Sequence, residues 1–190
     1  MPPDLHLYIN AAWLALVAVL LAGAFTAKRA ARRESWSSRG VHMALLAVAM
    51  MLLFSGTRHF GPLTWRFVPA SAAGAYTGLA LTVAGVAFAI WARAVLGGNW
   101  SGTVTIKEDH TLVRRGPYRI VRHPIYTGCL LGFLGTAVVF GELGGLMGTA
   151  IAFLSFWLKS RVEESFLTEH FGPQYQRYQR EVKALIPFVL

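Results

Sequence analysis

Between Asp109 and Gly128 the chain reads Asp-His-Thr-Leu-Val-Arg-Arg-Gly-Pro-Tyr-Arg-Ile-Val-Arg-His-Pro-Ile-Tyr-Thr-Gly, a polar segment dense in histidine, arginine and tyrosine. Further on, two adjacent carboxylates, Glu163 and Glu164, follow a long apolar run. Imidazole, phenol and carboxylate groups together suit a ligand that carries several charges, and they can move protons. They do not make a metal set, because His110 and His123 stand far apart with no cysteine or carboxylate in metal-binding register. Proline is favoured at the first position of a helix, which accounts for Pro124 without any ligand. His123, Tyr126 and the Gly116-Pro117-Tyr118 turn are left, and a binding role explains them.

Glu163 and Glu164 have a plain use as interfacial charges paired with Lys159 and Arg161, which contributes little. Consecutive helical residues point about 100° apart, however, so one can face a cavity while the other meets a basic side chain. Carboxylates at membrane depth are costly and often functional. Arg93, near Gly97, Gly98, Asn99, Trp100 and Ser101, reads on composition alone as an ordinary snorkelling residue beside a belt tryptophan. Phosphate-cradling signatures, a Gly-x-Gly-x-x-Gly after a strand or a Walker loop, are absent from the sequence.

The elements that must position these groups are membrane spans. Hydrophobic residues make up 55% of the 190 and charged residues 14%, with a mean hydropathy of +0.47, beyond the usual balance of a soluble domain. The net charge of +9 invites a nucleic-acid reading, but the basic residues cluster between long apolar runs, as they do when they set topology in a bilayer. Nucleic acid is therefore not an expected partner. The single cysteine, Cys129, lies inside an apolar run and reads as a small buried hydrophobe.

Hydropathy and length predict about five transmembrane helices in an all-α integral membrane protein, over 8–27, 41–55, 70–96, 125–140 and 143–158. The site segment 97–124 lies between the third and fourth. A tail over 159–190 carries Phe166, Leu167, Phe171, Tyr175, Tyr178 and Val182 near helical spacing, as an amphipathic surface helix broken at Gly172 and Pro173 would, and it can cap the site. The whole is one membrane domain over 1–190. The first span reads as retained rather than as a cleaved signal, since basic residues follow it and none precede it. Small residues, Gly128, Gly132, Gly135, Gly148 and Ala152, allow close packing of the last two spans.

Lysine and arginine sort by side in this arrangement. Lys28, Arg29, Arg32, Arg33 and Arg39 fall with Arg93, Lys107, Arg114, Arg115, Arg119, Arg122, Lys159, Arg161, Arg177, Arg180 and Lys183, whereas only Arg58 and Arg66 fall opposite. The positive-inside rule then puts the N-terminus outside, and the C-terminus and the site segment in the cytoplasm.

From Trp100-Ser101-Gly102 through His110-x-Leu112-Val113, Gly116-Pro117-Tyr118 and Arg122-His123-Pro124-x-Tyr126-x-Gly128, then Glu163-Glu164, Phe171-Gly172, Tyr175, Tyr178 and Pro187, the chain resembles the isoprenylcysteine carboxyl methyltransferase family, which is related to phospholipid N-methyltransferases. The resemblance covers roughly Arg93 to Pro187, and the first two spans carry none of its motifs. It implies a membrane enzyme that takes S-adenosylmethionine from the cytoplasm and a lipid-like or prenylated acceptor from the bilayer. Carried over by motif, His110, Leu112, Gly116, Tyr118, His123, Tyr126 and one of Glu163 or Glu164 line the cofactor pocket. Under that reading Tyr118 and Tyr126 offer ring faces to the sulfonium, a glutamate holds the amino group or ribose, and His123 meets the carboxylate.

The two branches place different demands on catalysis. A prenylcysteine carboxylate is already a nucleophile and needs a cation to orient it, for which Arg93 or Arg161 is available. A phosphatidylethanolamine amine must first lose a proton, and Glu164 is the candidate base. The central motif lies closer to the carboxyl methyltransferases. Related folds also include reductases that use NADPH, whose 2′-phosphate Arg114, Arg115 and Arg119 can meet, and a non-catalytic membrane protein is a further alternative. The sequence does not fix an oligomeric state.

Overall fold

A computed structural model describes residues 4–25, 30–33, 35–54, 61–100, 105–107 and 111–190. Five long helices carry the fold: α1 (Leu5–Phe25), α2 (Trp36–Phe54), α3 (Ala72–Leu96), α4 (Pro124–Phe140) and α5 (Leu143–Phe171), followed by the short α6 (Pro173–Glu181). By length and composition α1, α2, α3 with its 3-10 extension to Asn99, and α5 can each cross a membrane, while the apolar α4 is shorter at 17 residues. Large apolar side chains such as Leu14, Leu21, Met43, Val83 and Leu154 stand exposed along these helices, as lipid-facing surfaces require. This is an integral membrane protein.

Two boundaries differ from those that hydropathy gives. The second helix begins at Trp36 rather than 41, and so carries Arg39. The fifth runs unbroken past Lys159, where the apolar run ends, to Phe171. Nothing in the sequence stops it before Gly172, whose φ of 52° suits glycine, and Pro173 then opens α6. The surface tail thus reduces to α6 and the residues after it. A short antiparallel ribbon, β1 (Ala30–Arg33) with β2 (Thr105–Lys107), was not foreseeable, since strands of four and three residues are too short for a period-two pattern to register.

Close approach between α3 and α4 sets the bundle. A Cβ added to Gly128 would lie 2.6 Å from the carbonyl oxygen of Gly85, and one added to Gly78 would lie 2.6 Å from that of Gly135. Threonines hydrogen-bond across the same seam. Thr136 accepts from the indole Nε1 of Trp13 at 3.1 Å, and the Thr82 hydroxyl lies 3.3 Å from the Thr136 hydroxyl and 3.3 Å from Gly132 O. Three helices are thereby locked at mid-depth. The α2–α5 pair is similar, with a Cβ on Gly148 falling 2.7 Å from Ala49 O.

Because the obstacle at Gly128 is backbone, Gly128→Ala should destabilise by about 1–3 kcal/mol. Gly40→Ala, where a Cβ meets nothing within 4 Å, should be neutral or stabilising by up to about 1 kcal/mol. Thermal unfolding in detergent checks the pair; equal effects would contradict the packing assigned to the α3–α4 seam.

Candidate functional site

The site is assembled where α4 begins and the last turns of α5 pass. His123 is the N-cap of α4 and Pro124 its first residue, so the backbone that starts the helix also aims the imidazole. That side chain is 7% exposed. Its Nδ1 lies 3.1 Å from Glu163 Oε2 and its Nε2 lies 3.1 Å from Glu164 Oε1. Two acceptors on two ring nitrogens are satisfied together only when both nitrogens carry hydrogen. Burial pushes the His123 pKa down, yet the hydrogen bonds and charges of the two glutamates outweigh it and the net shift is upward.

The adjacent carboxylates share His123 but otherwise take different partners. Glu163 accepts from Tyr126 Oη at 2.6 Å, one helical turn into α4 from His123. Glu164, 6% exposed, is gripped by Arg122, with Nε at 2.8 Å and Nη2 at 2.6 Å, and accepts from Gln179 Nε2 at 3.2 Å. Arg122 also donates to the carbonyls of Gln179, at 3.1 Å, and Val182. Buried in this way, a guanidinium stabilises only because all its partners are present.

The C-terminal segment completes the frame. Arg122 N donates to Lys183 O at 2.8 Å, His123 N to Ala184 O at 3.0 Å and Thr127 Oγ1 to Leu185 O at 2.7 Å. Tyr178 on α6 donates to Tyr118 O at 2.6 Å. Residues 118–127 are therefore clasped between α5 and the tail.

Stacked rings continue inward from the cluster. His123 and Tyr126 lie 5.6 Å apart at 7°, Tyr126 and Phe156 4.8 Å apart at 9°, and Phe133 and Trp13 4.6 Å apart at 23°. The buried Lys159 places its ammonium 5.8 Å from the Tyr126 ring centroid.

Of the other residues singled out in the sequence, Tyr118 is buried in the turn that Gly116 opens at φ 58°. Burial first, then the Glu163 carboxylate, hold its phenol well above the usual range, which keeps it neutral. It lies within electrostatic reach of Arg93 as well. Arg93 is not a snorkelling residue: it is 5% exposed, donates to Gly97 O at 2.9 Å and lies 4.8 Å from the Trp100 ring centroid. Its guanidinium also occupies the space where a Cβ on Gly23 of α1 would fall.

Leu112 is half-buried on the approach to the turn. Arg161 is exposed and takes part in none of the cluster's hydrogen bonds. His110 lies outside the described residues. Among the described residues no group of three or more His, Cys, Asp or Glu side chains is arranged to hold a metal ion. Sequence reasoning missed Arg122 and Gln179 as partners of Glu164, although Arg122 adjoins His123 and Gln179 follows Tyr178.

Residues 74–174, just over half of the chain, match the family described as phospholipid methyltransferase. A probable protein-S-isoprenylcysteine O-methyltransferase of Oryza sativa subsp. indica is 30% identical over 117 residues, covering 60% of this chain and 61% of the relative. The cobalt-zinc-cadmium resistance protein CzcN of Cupriavidus metallidurans is 34% identical over 96 residues, which is 50% of this chain and 44% of that protein. Among solved structures, that of a eukaryotic intramembrane Ras methyltransferase, isoprenylcysteine carboxyl methyltransferase, superposes with a TM-score of 0.62 at 27% identity, covering 82% of this chain and 55% of that one. The chain thus spans less than two thirds of the length of each of these proteins.

The raised His123 pKa has a stability consequence. The pairing contributes fully below the ordinary value of 6.5 and is lost as pH rises through the higher folded value. The advantage of the unmodified protein over His123→Gln in thermal unfolding should therefore be greatest near pH 6 and shrink toward pH 9. A pH-independent difference would contradict a protonated His123.

Proposed function

We propose that this chain, which belongs to the phospholipid methyltransferase family, is a membrane methyltransferase that uses S-adenosylmethionine to esterify the carboxylate of a lipid-anchored acceptor such as a prenylcysteine. The observation that carries this is the neutralised cluster of Glu163, Glu164, His123 and Arg122, with Tyr126 beside it, inside the family-matched region. Two carboxylates, an imidazolium and neutral phenols fit a cofactor that itself carries an ammonium, a carboxylate and ribose hydroxyls. Glu163 is the residue for the ammonium or ribose and Tyr118 and Tyr126 for the cationic sulfonium, while His123, whose two nitrogens are taken by the glutamates, positions Glu163 instead of meeting the carboxylate. Leu112, Gly116 and His110 complete the pocket on the motif alone.

When bound, S-adenosylmethionine supplies an electrophilic methyl group. An acceptor carboxylate oxygen would form the new bond to carbon as the carbon–sulfur bond broke with its electron pair left on sulfur, and no proton need move. The work left to the protein is alignment and exclusion of water. Arg93, buried and fixed by Gly97 O, is better placed to orient a carboxylate than the exposed Arg161. Glu164 supports the same choice of acceptor. Its oxygens already accept from Arg122, His123 and Gln179, so it suits an anchor and not the base that an amine acceptor needs. The excess of basic residues at this end supports a cytoplasmic site, with the N-terminus outside.

Membranes containing the protein, given methyl-labelled S-adenosylmethionine and a farnesylcysteine analogue, should form a base-labile ester that releases labelled methanol, and Arg93→Gln should lower its yield at least about tenfold. Base-stable label on phosphatidylethanolamine instead would transfer the reading to the amine branch.

A further inference from the structure

A second polar constellation lies at the other end of the bundle. α4 alone separates it from His123 by roughly 25 Å. There a cavity of about 730 Å³ opens between the starts of α1, α3 and α5 and the ends of α2 and α4, within the about 300–1,000 Å³ typical of small-ligand sites. Its floor is apolar, formed in part by the buried Leu53, Ala75 and Val139. Its rim is polar, with His6, Asn10, Arg66, Ser71 and Glu142.

The backbones of Arg66 and Glu142 form an antiparallel β-bridge, flanked by Phe67 N to Gly141 O and Leu143 N to Trp65 O, both 2.9 Å, which brings the two residues side by side on that rim. Arg66 is further held through Nε to Val68 O at 3.2 Å and Nη1 to Phe140 O at 3.0 Å. Ser71 caps the start of α3, adding that helix's partial positive charge on the same rim. A simple anion would have to sit beside the Glu142 carboxylate, and a simple cation beside Arg66. A ligand with both charges on one polar head, and an apolar body for the floor, meets every wall.

We propose that this cavity binds the head group of a zwitterionic phospholipid, with its phosphate toward Arg66 and Ser71, its ammonium toward Glu142 and its glycerol esters toward His6 and Asn10. The lipid acts as a non-catalytic clamp. It joins the starts of α1 and α3 to the α4–α5 turn, at the end of the bundle that the His123 cluster and the C-terminal segment do not brace.

The test is thermal unfolding of the detergent-purified full chain with monomeric dihexanoyl phosphatidylethanolamine or dihexanoyl phosphatidylglycerol. The first should raise the apparent Tm by about 3 °C or more, and the second by clearly less. Glu142→Gln should abolish the preference, and Ala72→Trp, at an exposed lining position, should abolish the shift. Glu163→Gln, or Tyr126→Phe if the former does not fold, should keep it, because the other end of the bundle is untouched. No shift, equal shifts with the two lipids, a shift retained in Ala72→Trp, or one lost in both cluster variants would overturn the proposal; the last result would place the lipid in the His123 site as an acceptor.

Discussion

An imidazole bonded through both nitrogens to carboxylates on consecutive residues of another helix is a demanding arrangement. His123 and Glu164 are buried and Glu163 is half-buried, so each is costly alone and tolerable only with the others in place. His123 is available because Pro124 starts α4 immediately after it. Glu163 and Glu164 are available because α5 does not stop where its apolar run stops. Arg122 takes the remaining charge on Glu164 and uses its other donors to fasten the C-terminal segment. Removing any one member leaves an uncompensated charge, which ties the start of α4, the end of α5 and the tail into one unit.

Farther into the bundle, the requirement is distance rather than charge. Glycines along α3 and α4 bring backbones into contact, and the Trp13–Thr136–Thr82 hydrogen bonds fix the depth at which they meet. The depth set by this seam carries through the stacked rings of Phe133, Phe156 and Tyr126 to His123. Helix packing and site geometry are therefore one problem in this protein, and the chemistry proposed for it, which relies on alignment more than on acid–base groups, depends on that coupling.

Much of this was legible in the residues. Hydropathy located five helices, and the Arg-His-Pro-x-Tyr run and the paired glutamates marked the cluster; the divergence of adjacent helical side chains suggested that one glutamate faces a cavity and the other a basic residue, whereas both bond to His123. Hydropathy could not show that α5 continues beyond Leu158, because Lys159, Glu163 and Glu164 turn into the protein where a window average sees only charge. Arg93 looked like an interfacial arginine for the same reason: burial of a charged group depends on Gly23, Gly97 and Trp100, which are brought together only by the fold. The cavity around Arg66 and Glu142 joins residues from five helices and the connection before α3, and has no local signature at all.

Calorimetric titration of the purified protein and its Glu163→Gln variant with S-adenosylhomocysteine, with NADPH as a parallel ligand, tests the central claim most directly. The cluster as described predicts saturable binding of S-adenosylhomocysteine alone, weakened at least about tenfold, or about 1.4 kcal/mol, by the substitution. Undiminished affinity in a folded Glu163→Gln variant, or binding of NADPH in place of S-adenosylhomocysteine, would contradict it.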